Sequence, residues 1–198
     1  MKFVDWVIKG YDRASAVKLS RSGINPLVSV FLASRGMTTV EAAENFLNDD
    51  LNRVHDPFLL KDMDIAVERI NQAMENGERI AVYGDYDVDG MTASCLLASF
   101  FRSRGVDYEI YIPGRMEEGY GVNTPALDAL ASRGVSLVVT VDCGITAHSE
   151  AAYARQLGID MVVTDHHECK EELPPALAVI DPKRKDCPYP NKVLAGVG

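Results

Sequence analysis

From residue 79 onward the chain repeats one phrase: a short β-branched apolar run, a polar or glycine-containing loop, and a helical stretch stopped by glycine. That is the pattern of βαβ units, in which parallel strands are joined by crossover helices. Arg79 to Asp85 reads as the first strand. Thr92 to Arg104 follows as a helix with Leu96, Leu97, Phe100 and Phe101 on its buried side, and Gly105 ends it. Tyr108 to Ile112 is the second strand. Thr124 is expected to cap the next helix, with Pro125 at its first position, Leu127, Leu130 and Ala131 as its stripe and Gly134 as its stop. Leu137 to Val141 makes a third strand, Ala147 to Leu157 a helix stopped by Gly158, Met161 to Thr164 a fourth strand and Ala176 to Ile180 a fifth. Near-continuous apolar strands are buried on both faces, so the expected fold class is α/β, a parallel sheet of about five strands covered by helices.

Residues 1–78 carry helical patterns at Leu27 to Ala33, Val40 to Leu47 and Ile65 to Met74, and no convincing strand. Asp64 is expected to cap the last of these and Asn76-Gly77 to end it, with Asn52 to Lys61 as a turn-rich connection. The expected division is a small helical region over 1–78 and an α/β domain over 79–198. At the far end, Leu194-Ala195-Gly196-Val197-Gly198 reads as the start of a further element, so the chain is expected to be a piece of a longer one. No apolar run approaches the ~18 residues of a membrane span, and Asp5 interrupts the N-terminal apolar stretch, which together point to a cytoplasmic protein with no membrane partner. Cys95, Cys143, Cys169 and Cys187 are widely spaced, which argues against a disulfide framework or a structural zinc site. A net charge of −9 repels nucleic acid, so a strand must be met by a local basic patch or by bound cations.

Ligands in open α/β sheets bind beyond the carboxyl ends of the strands. Three of those positions are acidic here: Asp85-Tyr86-Asp87-Val88-Asp89-Gly90 after the first strand, Asp142-Cys143-Gly144 after the third, and Asp165-His166-His167-Glu168 after the fourth. The Asp-x-Asp-x-Asp-Gly stretch alone resembles a calcium loop, but Leu96 stands where the closing glutamate belongs and the stretch follows a buried strand, both of which speak against calcium. Taken singly, the first three aspartates also read as turn and helix-capping residues, Asp142 as a strand-end turn, and the histidines as ordinary surface or core groups. Their joint position changes the reading. Carboxylates crowded at one sheet edge repel one another unless a cation neutralises them, and oxygen donors with imidazole suit Mn²⁺, Mg²⁺ or Zn²⁺.

Tyr83-Gly84-Asp85-Tyr86-Asp87-Val88-Asp89-Gly90, Val141-Asp142-Cys143-Gly144, Val163-Thr164-Asp165-His166-His167-Glu168, Ile180-Asp181-Pro182 and the 194–198 run, in that order, resemble the motifs of the DHH phosphoesterase superfamily. The resemblance covers about residues 79–198 and reaches the helical N-terminus only loosely. Within the superfamily the likeness is greatest to bacterial exonucleases of DNA repair and recombination. It implies a metal-dependent phosphodiesterase that degrades single-stranded DNA 5′ to 3′ with Mn²⁺ or Mg²⁺, two ions in the complete protein. It further implies single-stranded DNA as partner, with a single-strand-binding protein and a helicase as further ones.

Carried over residue by residue, the resemblance makes Asp87 and Asp89 metal ligands, Asp142 a bridge between two metals, and His166 a ligand. It sets His167 against the scissile phosphate as proton donor or charge stabiliser, with Asp165 orienting the histidines. Many members carry a histidine four residues before the acidic pair; Tyr83 stands there in this chain, and Asp85 is the candidate substitute. The superfamily's final metal-binding aspartate lies further downstream than Gly198.

The loop from Pro113 to Asn123 follows the second strand on the same edge, and its similarity to the exonuclease loop nominates Arg115, Tyr120 and Asn123 as DNA contacts. Taken alone it reads as a flexible loop, and Lys183-Arg184-Lys185 reads as a solvated basic turn. Two other functions compete with the nuclease. One keeps the chemistry on small substrates such as short oligonucleotides, cyclic dinucleotides or pyrophosphate, and Tyr83 with the Gly84-Asp85-Tyr86-Asp87 wording speaks for the nuclease instead. The other is a non-catalytic DNA-binding scaffold, against which Asp87, Asp89, Asp142, His166 and His167 speak together.

Overall fold

The computed structural model describes residues 10–48, 54–114, 116 and 118–198, which fall into two compact units divided between Val54 and His55. The first unit holds helices α1 (Arg13–Arg21), α2 (Pro26–Ser34) and α3 (Val40–Leu47). Each is opened by a side-chain acceptor that satisfies a free N–H of its first turn: Asp12 for α1, Asn25 for α2 and Thr39 for α3. Leu19, Leu32 and Ala43 form their shared core, with Ile24, Val28, Met37 and Val40 around it. The apolar spacing anticipates α2 and α3 but not α1, whose stretch is dominated by Arg, Ser and Lys around two buried apolar residues.

The second unit begins with a 3₁₀ turn (Pro57–Leu59) and helix α4 (Met63–Asn76). There follow β1 (Arg79–Tyr83), α5 (Val88–Ser103), β2 (Tyr108–Tyr111), α6 (Thr124–Ser132), β3 (Val135–Val141), α7 (His148–Gln156), β4 (Asp160–Thr164) and β5 (Ala178–Ile180). All strand pairs are parallel and the order across the sheet is β2-β1-β3-β4-β5. The chain runs outward from β1 to β2 and then crosses to the other side of β1, so the topological switch point lies between β1 and β3. Alternate strand residues serve opposite faces. Ala81, Tyr83, Val138, Met161 and Val163 pack with Leu127 and Leu130 of α6 and Ala151 and Ala154 of α7. Ile80, Val82, Leu137, Val139 and Val162 pack with Ala66 and Ala73 of α4 and Ala93 and Phe101 of α5. The expected five-stranded parallel sheet, covered on both faces, is present.

Several local expectations are corrected. Helix α6 is capped by Asn123, whose side chain accepts the Ala126 N–H at 2.8 Å, while Thr124 is already helical. Helix α4 starts at Met63, so Asp64 lies inside its first turn rather than capping it. Asp62, before it, has left-handed backbone (φ 65°) and directs its carboxylate away from the helix, to the Val179 N–H and to Arg184 at 2.6 Å. Arg184 is no solvated turn residue: it is buried, paired with Asp62 and with Asp186 at 2.8 Å, and donates to the Val179 carbonyl. This buried guanidinium ties the start of α4 to β5. Among the described residues no helix is long and apolar enough to cross a membrane.

Candidate metal centre

The β1–α5 connection is short because the helix begins at Val88, four residues earlier than its apolar stripe suggests. Asp87 caps it, one carboxylate oxygen accepting the Asp89 N–H at 2.8 Å and the Gly90 N–H at 3.1 Å. The carboxylates of Asp87 and Asp89 therefore lie at the positive end of α5, which partly offsets their crowding. Gly90 allows the first turn to lie on the loop, since a β-carbon there would come within 2.6–2.8 Å of the Asp85 backbone. Asp85 is thereby buried at 3% exposure, with Oδ1 lacking any hydrogen-bond partner.

The registers Tyr83↔Thr140 and Val141↔Thr164, continued beyond the strand ends, place Asp85 beside Asp142 and Asp142 beside Asp165. Asp142 adopts left-handed backbone (φ 62°), a conformation that costs a non-glycine residue free energy and that gathers at functional sites. Its side chain is buried at 2% exposure. His166 Nε2 lies 3.0 Å from Asp142 Oδ1, yet that oxygen has no hydrogen-bond partner of acceptable geometry. Burial and the charges of Asp89 and Asp87 push the Asp142 carboxyl up to about 6, against a smaller opposing effect of His166 and His167.

Asp165 is buried and fully engaged. One oxygen accepts the Ile145 N–H at 2.9 Å; the other accepts the His166 N–H at 2.7 Å and faces His167 Nδ1 at 2.7 Å. A carboxylate can only accept, so Nδ1 carries the hydrogen and Nε2 is the ring nitrogen left for chemistry. Burial disfavours the charged imidazole, but the bond to Asp165 and its charge outweigh it, so the His167 pKa is raised.

On the opposite rim, Glu118 organises the loop after β2. Its carboxylate accepts the Gly114 N–H at 2.9 Å, the Tyr111 hydroxyl at 2.6 Å and the Asn123 amide at 3.0 Å. Tyr83 points into the core, fully buried, and its hydroxyl donates to the Gly121 carbonyl at 3.1 Å, away from the carboxylates. Asn123 is used for capping and for holding Tyr83 and Glu118. Tyr120 is half exposed, donates to the Asp142 carbonyl at 3.2 Å, and sets its ring edge-on to Tyr86 at 6.5 Å and to His167 at 5.9 Å. Arg115 lies outside the described residues.

Two donor sets result, with ligand atoms within 4.8 Å of one another: Asp85 with Asp87 and Asp142, and Asp142 with His166 and His167. Asp142 belongs to both. Asp89 is in neither, although its carboxylate lies 3.5 Å from His166 Nε2. Asp181, buried at the end of β5, accepts the Lys183 N–H at 2.7 Å and stands apart from both sets. These sets fit a divalent cation. Buried carboxylate oxygens without partners at Asp85 and Asp142 are costly unless a positive charge completes them, and the oxygen and imidazole donors are those of Mn²⁺.

Residues 79–198 match the family described as the DHH family, N-terminal domain. The chain belongs to the DHH family. It is 42% identical over 194 residues to the single-stranded-DNA-specific exonuclease RecJ of Bacillus subtilis (strain 168), a match that covers 98% of this chain and 25% of that protein. With the Escherichia coli (strain K12) exonuclease of the same name it shares 40% identity over 176 residues, 87% of this chain and 30% of that protein. Among solved structures it resembles exonuclease RecJ bound to manganese, with a TM-score of 0.66 and 34% identity over 73% of this chain and 37% of that one. It also resembles RecJ in complex with Mn²⁺ from Thermus thermophilus, with a TM-score of 0.63 and 29% identity over 94% and 25%. The chain thus spans between a quarter and a third of the length of these curated relatives.

Two features of this DHH domain give little sign of themselves in the sequence. Tyr86, between two aspartates, reads as a spacer until its ring is seen beside Tyr120. Gly196 and Val197 reach Asp89 across more than a hundred residues, a separation that no local pattern reveals.

Proposed function

We propose that this chain carries the catalytic domain of a divalent-cation-dependent phosphodiesterase that degrades single-stranded DNA from its 5′ end. The observation that carries the reading is the pair of donor sets sharing Asp142, built around buried, unpartnered carboxylate oxygens at the β1/β3 switch point. Single-stranded DNA as substrate and the exonucleolytic mode are supported by the names of the relatives, and the 5′ polarity by the motif resemblance.

Asp85, Asp87, Asp142 and His166 would hold Mn²⁺ or Mg²⁺, with Asp89 beside them. Bound there, divalent cations supply charge neutralisation and Lewis-acid polarisation of a phosphodiester. The chain's own groups do the rest. His167, held by Asp165 through Nδ1, offers Nε2 to the phosphate or leaving oxygen, where a charged imidazole stabilises negative charge and a proton can be delivered. The exposed ring of Tyr120, with Tyr86 behind it, offers a face on which a base can stack. Arg115 is the proposed phosphate contact of the same loop, and Asn123 serves the strand by fixing the loop's shape. With a net charge of −9 the attraction for DNA must come from bound cations and from local basic groups such as Arg115.

The test uses the intact protein and its Asp142→Ala variant, with Mn²⁺ titration by calorimetry and degradation of oligonucleotides labelled at either end. The expected result is cation binding and stepwise 5′ degradation in the parent, with both lost in the variant. A parent that degrades single strands equally well after exhaustive chelation sinks the reading.

A further inference from the structure

The backbone of the 195–197 loop lies directly on the acidic cluster. Gly196 N–H donates to one oxygen of Asp89 and Val197 N–H to the other, both at 2.8 Å. Gly196 also sits against Asp142 so closely that a β-carbon would come within 2.6–2.8 Å of its Oδ1, Cβ and Cγ atoms. Among the described residues the nearest atoms that a β-carbon at Gly198 would meet belong to its own loop, Leu194 and Ala195, at 3.3 Å or more. Glycine at 196 is thus demanded by the carboxylate of a residue in another motif, and not by the turn itself.

We propose that Gly196 and Val197 are positioning residues of the cation site, acting through Asp89 and Asp142. Two N–H donors on one carboxylate fix its plane and withdraw charge from it. Held by both N–H groups, the Asp89 carboxylate is fixed in place beside His166, whose Nε2 lies 3.5 Å from it, while the same loop lies against Asp142. The bare α-carbon of Gly196 lets the cradle close over Asp142 without displacing it. The 194–198 run is in this way the wall of the site facing the β1–α5 loop, although it lies more than a hundred residues further along the chain. The inference rests on the cation reading given above and adds to it the element that sets the spacing of its ligands.

Three forms of the intact protein are compared by calorimetric Mn²⁺ titration: the parent, Gly196→Ala and Gly198→Ala. Each is melted without metal to establish folding. Gly196→Ala is expected to lose tenfold or more in Mn²⁺ affinity, within the roughly 10–100-fold cost of disturbing groups that orient metal ligands, while Gly198→Ala stays within about twofold of the parent. Val197→Pro, which replaces one donor by a ring carbon turned toward Asp89 and adds nothing against Asp142, covers the case in which Gly196→Ala does not fold, and it too is expected to lose affinity. Folded Gly196→Ala or Val197→Pro with parental affinity overturns the proposal. Equal losses in Gly196→Ala and Gly198→Ala overturn it as well, because they mark a general loop effect. A parent that binds no Mn²⁺ removes the cation reading itself, an outcome separate from both.

Discussion

Asp165 holds His167 by Nδ1 at 2.7 Å while its other oxygen is fixed on the Ile145 N–H at 2.9 Å, so the imidazole is oriented by a carboxylate that is itself immobilised. Replacing Asp165 with Asn keeps the shape but removes the negative charge that favours the imidazolium. Burial then acts with less opposition, and the His167 pKa is expected to fall from its raised position. In an NMR pH titration of the histidine ring the midpoint moves down, and the proposed phosphodiesterase activity of the intact protein drops by about 100-fold, the lower end of the range for a positioned acid. An unmoved midpoint would detach Asp165 from the chemistry.

Asp142 gives the opposite sign for stability. Its folded pKa, about 6, lies above the ordinary carboxyl value of 3.8, so without cation the folded state loses stability as pH rises from the ordinary value through about 6, when the buried carboxylate must ionise. Asp142→Asn removes that charge and puts in the left-handed position a residue that tolerates it. The metal-free variant is expected to be more stable than the parent at pH 7.5 by up to about 3 kcal/mol, to match it more closely near pH 4, and to gain nothing from Mn²⁺. Denaturant melts at the two pH values, with and without Mn²⁺, provide the measurement.

How far these sites were legible depended on how far apart in sequence their partners lie. The strand grammar from Arg79 to Ile180 gave the fold because apolar runs and glycine stops are local signals, and the acidic strand ends gave the cluster because parallel strands deliver their carboxyl ends to one edge. Asp87 is both cap and cluster member, so the bland and the chemical readings of the same residue are compatible. The burial of Arg184 is hidden in the sequence because three adjacent basic residues look solvated, and only the fold brings Asp62 to the middle one. Tyr83 could be read as a departure from a histidine but not as a core residue whose hydroxyl closes the Gly121 loop. Asn123 can be read as a contact but not as the helix cap it is, because Thr124, itself a good capping residue directly before Pro125, offers the same signal one residue later.

The exposed ring of Tyr120 separates stacking from charge. Tyr120→Ala is expected to weaken single-strand binding by about 1–3 kcal/mol, roughly 5–150-fold in Kd, while Tyr120→Phe retains most of the affinity because the ring face remains. The loss should be similar at low and moderate salt, in contrast to a phosphate contact, whose contribution shrinks as salt rises. Fluorescence titration of a labelled oligonucleotide at two ionic strengths distinguishes them. A Phe variant as weak as the Ala variant would transfer the role to the hydroxyl, which donates to the Asp142 carbonyl.

Far from the acidic edge, Arg69 of α4 binds Glu78 at 2.6 Å and Asp160 at 2.7 Å, joining the helix to the starts of β1 and β4. The hydrogen bonds from Arg69 and from Ser136 hold the Glu78 carboxyl down to about 2, against an ordinary 4.5. A depressed carboxyl contributes stability that is fully present above its unfolded value and is lost as pH falls through the folded one, here between about 4.5 and about 2. Arg69→Met keeps much of the packing of the stem while removing the charge. After discounting for the partial exposure of the pair, it is expected to cost about 1–2 kcal/mol at pH 7 and to flatten the acid limb of the stability profile, with the difference from the parent vanishing near pH 2. Denaturant melts from pH 2 to pH 7 would show the two curves converging; a constant offset across that range would assign the effect to packing of the side chain and not to its charge.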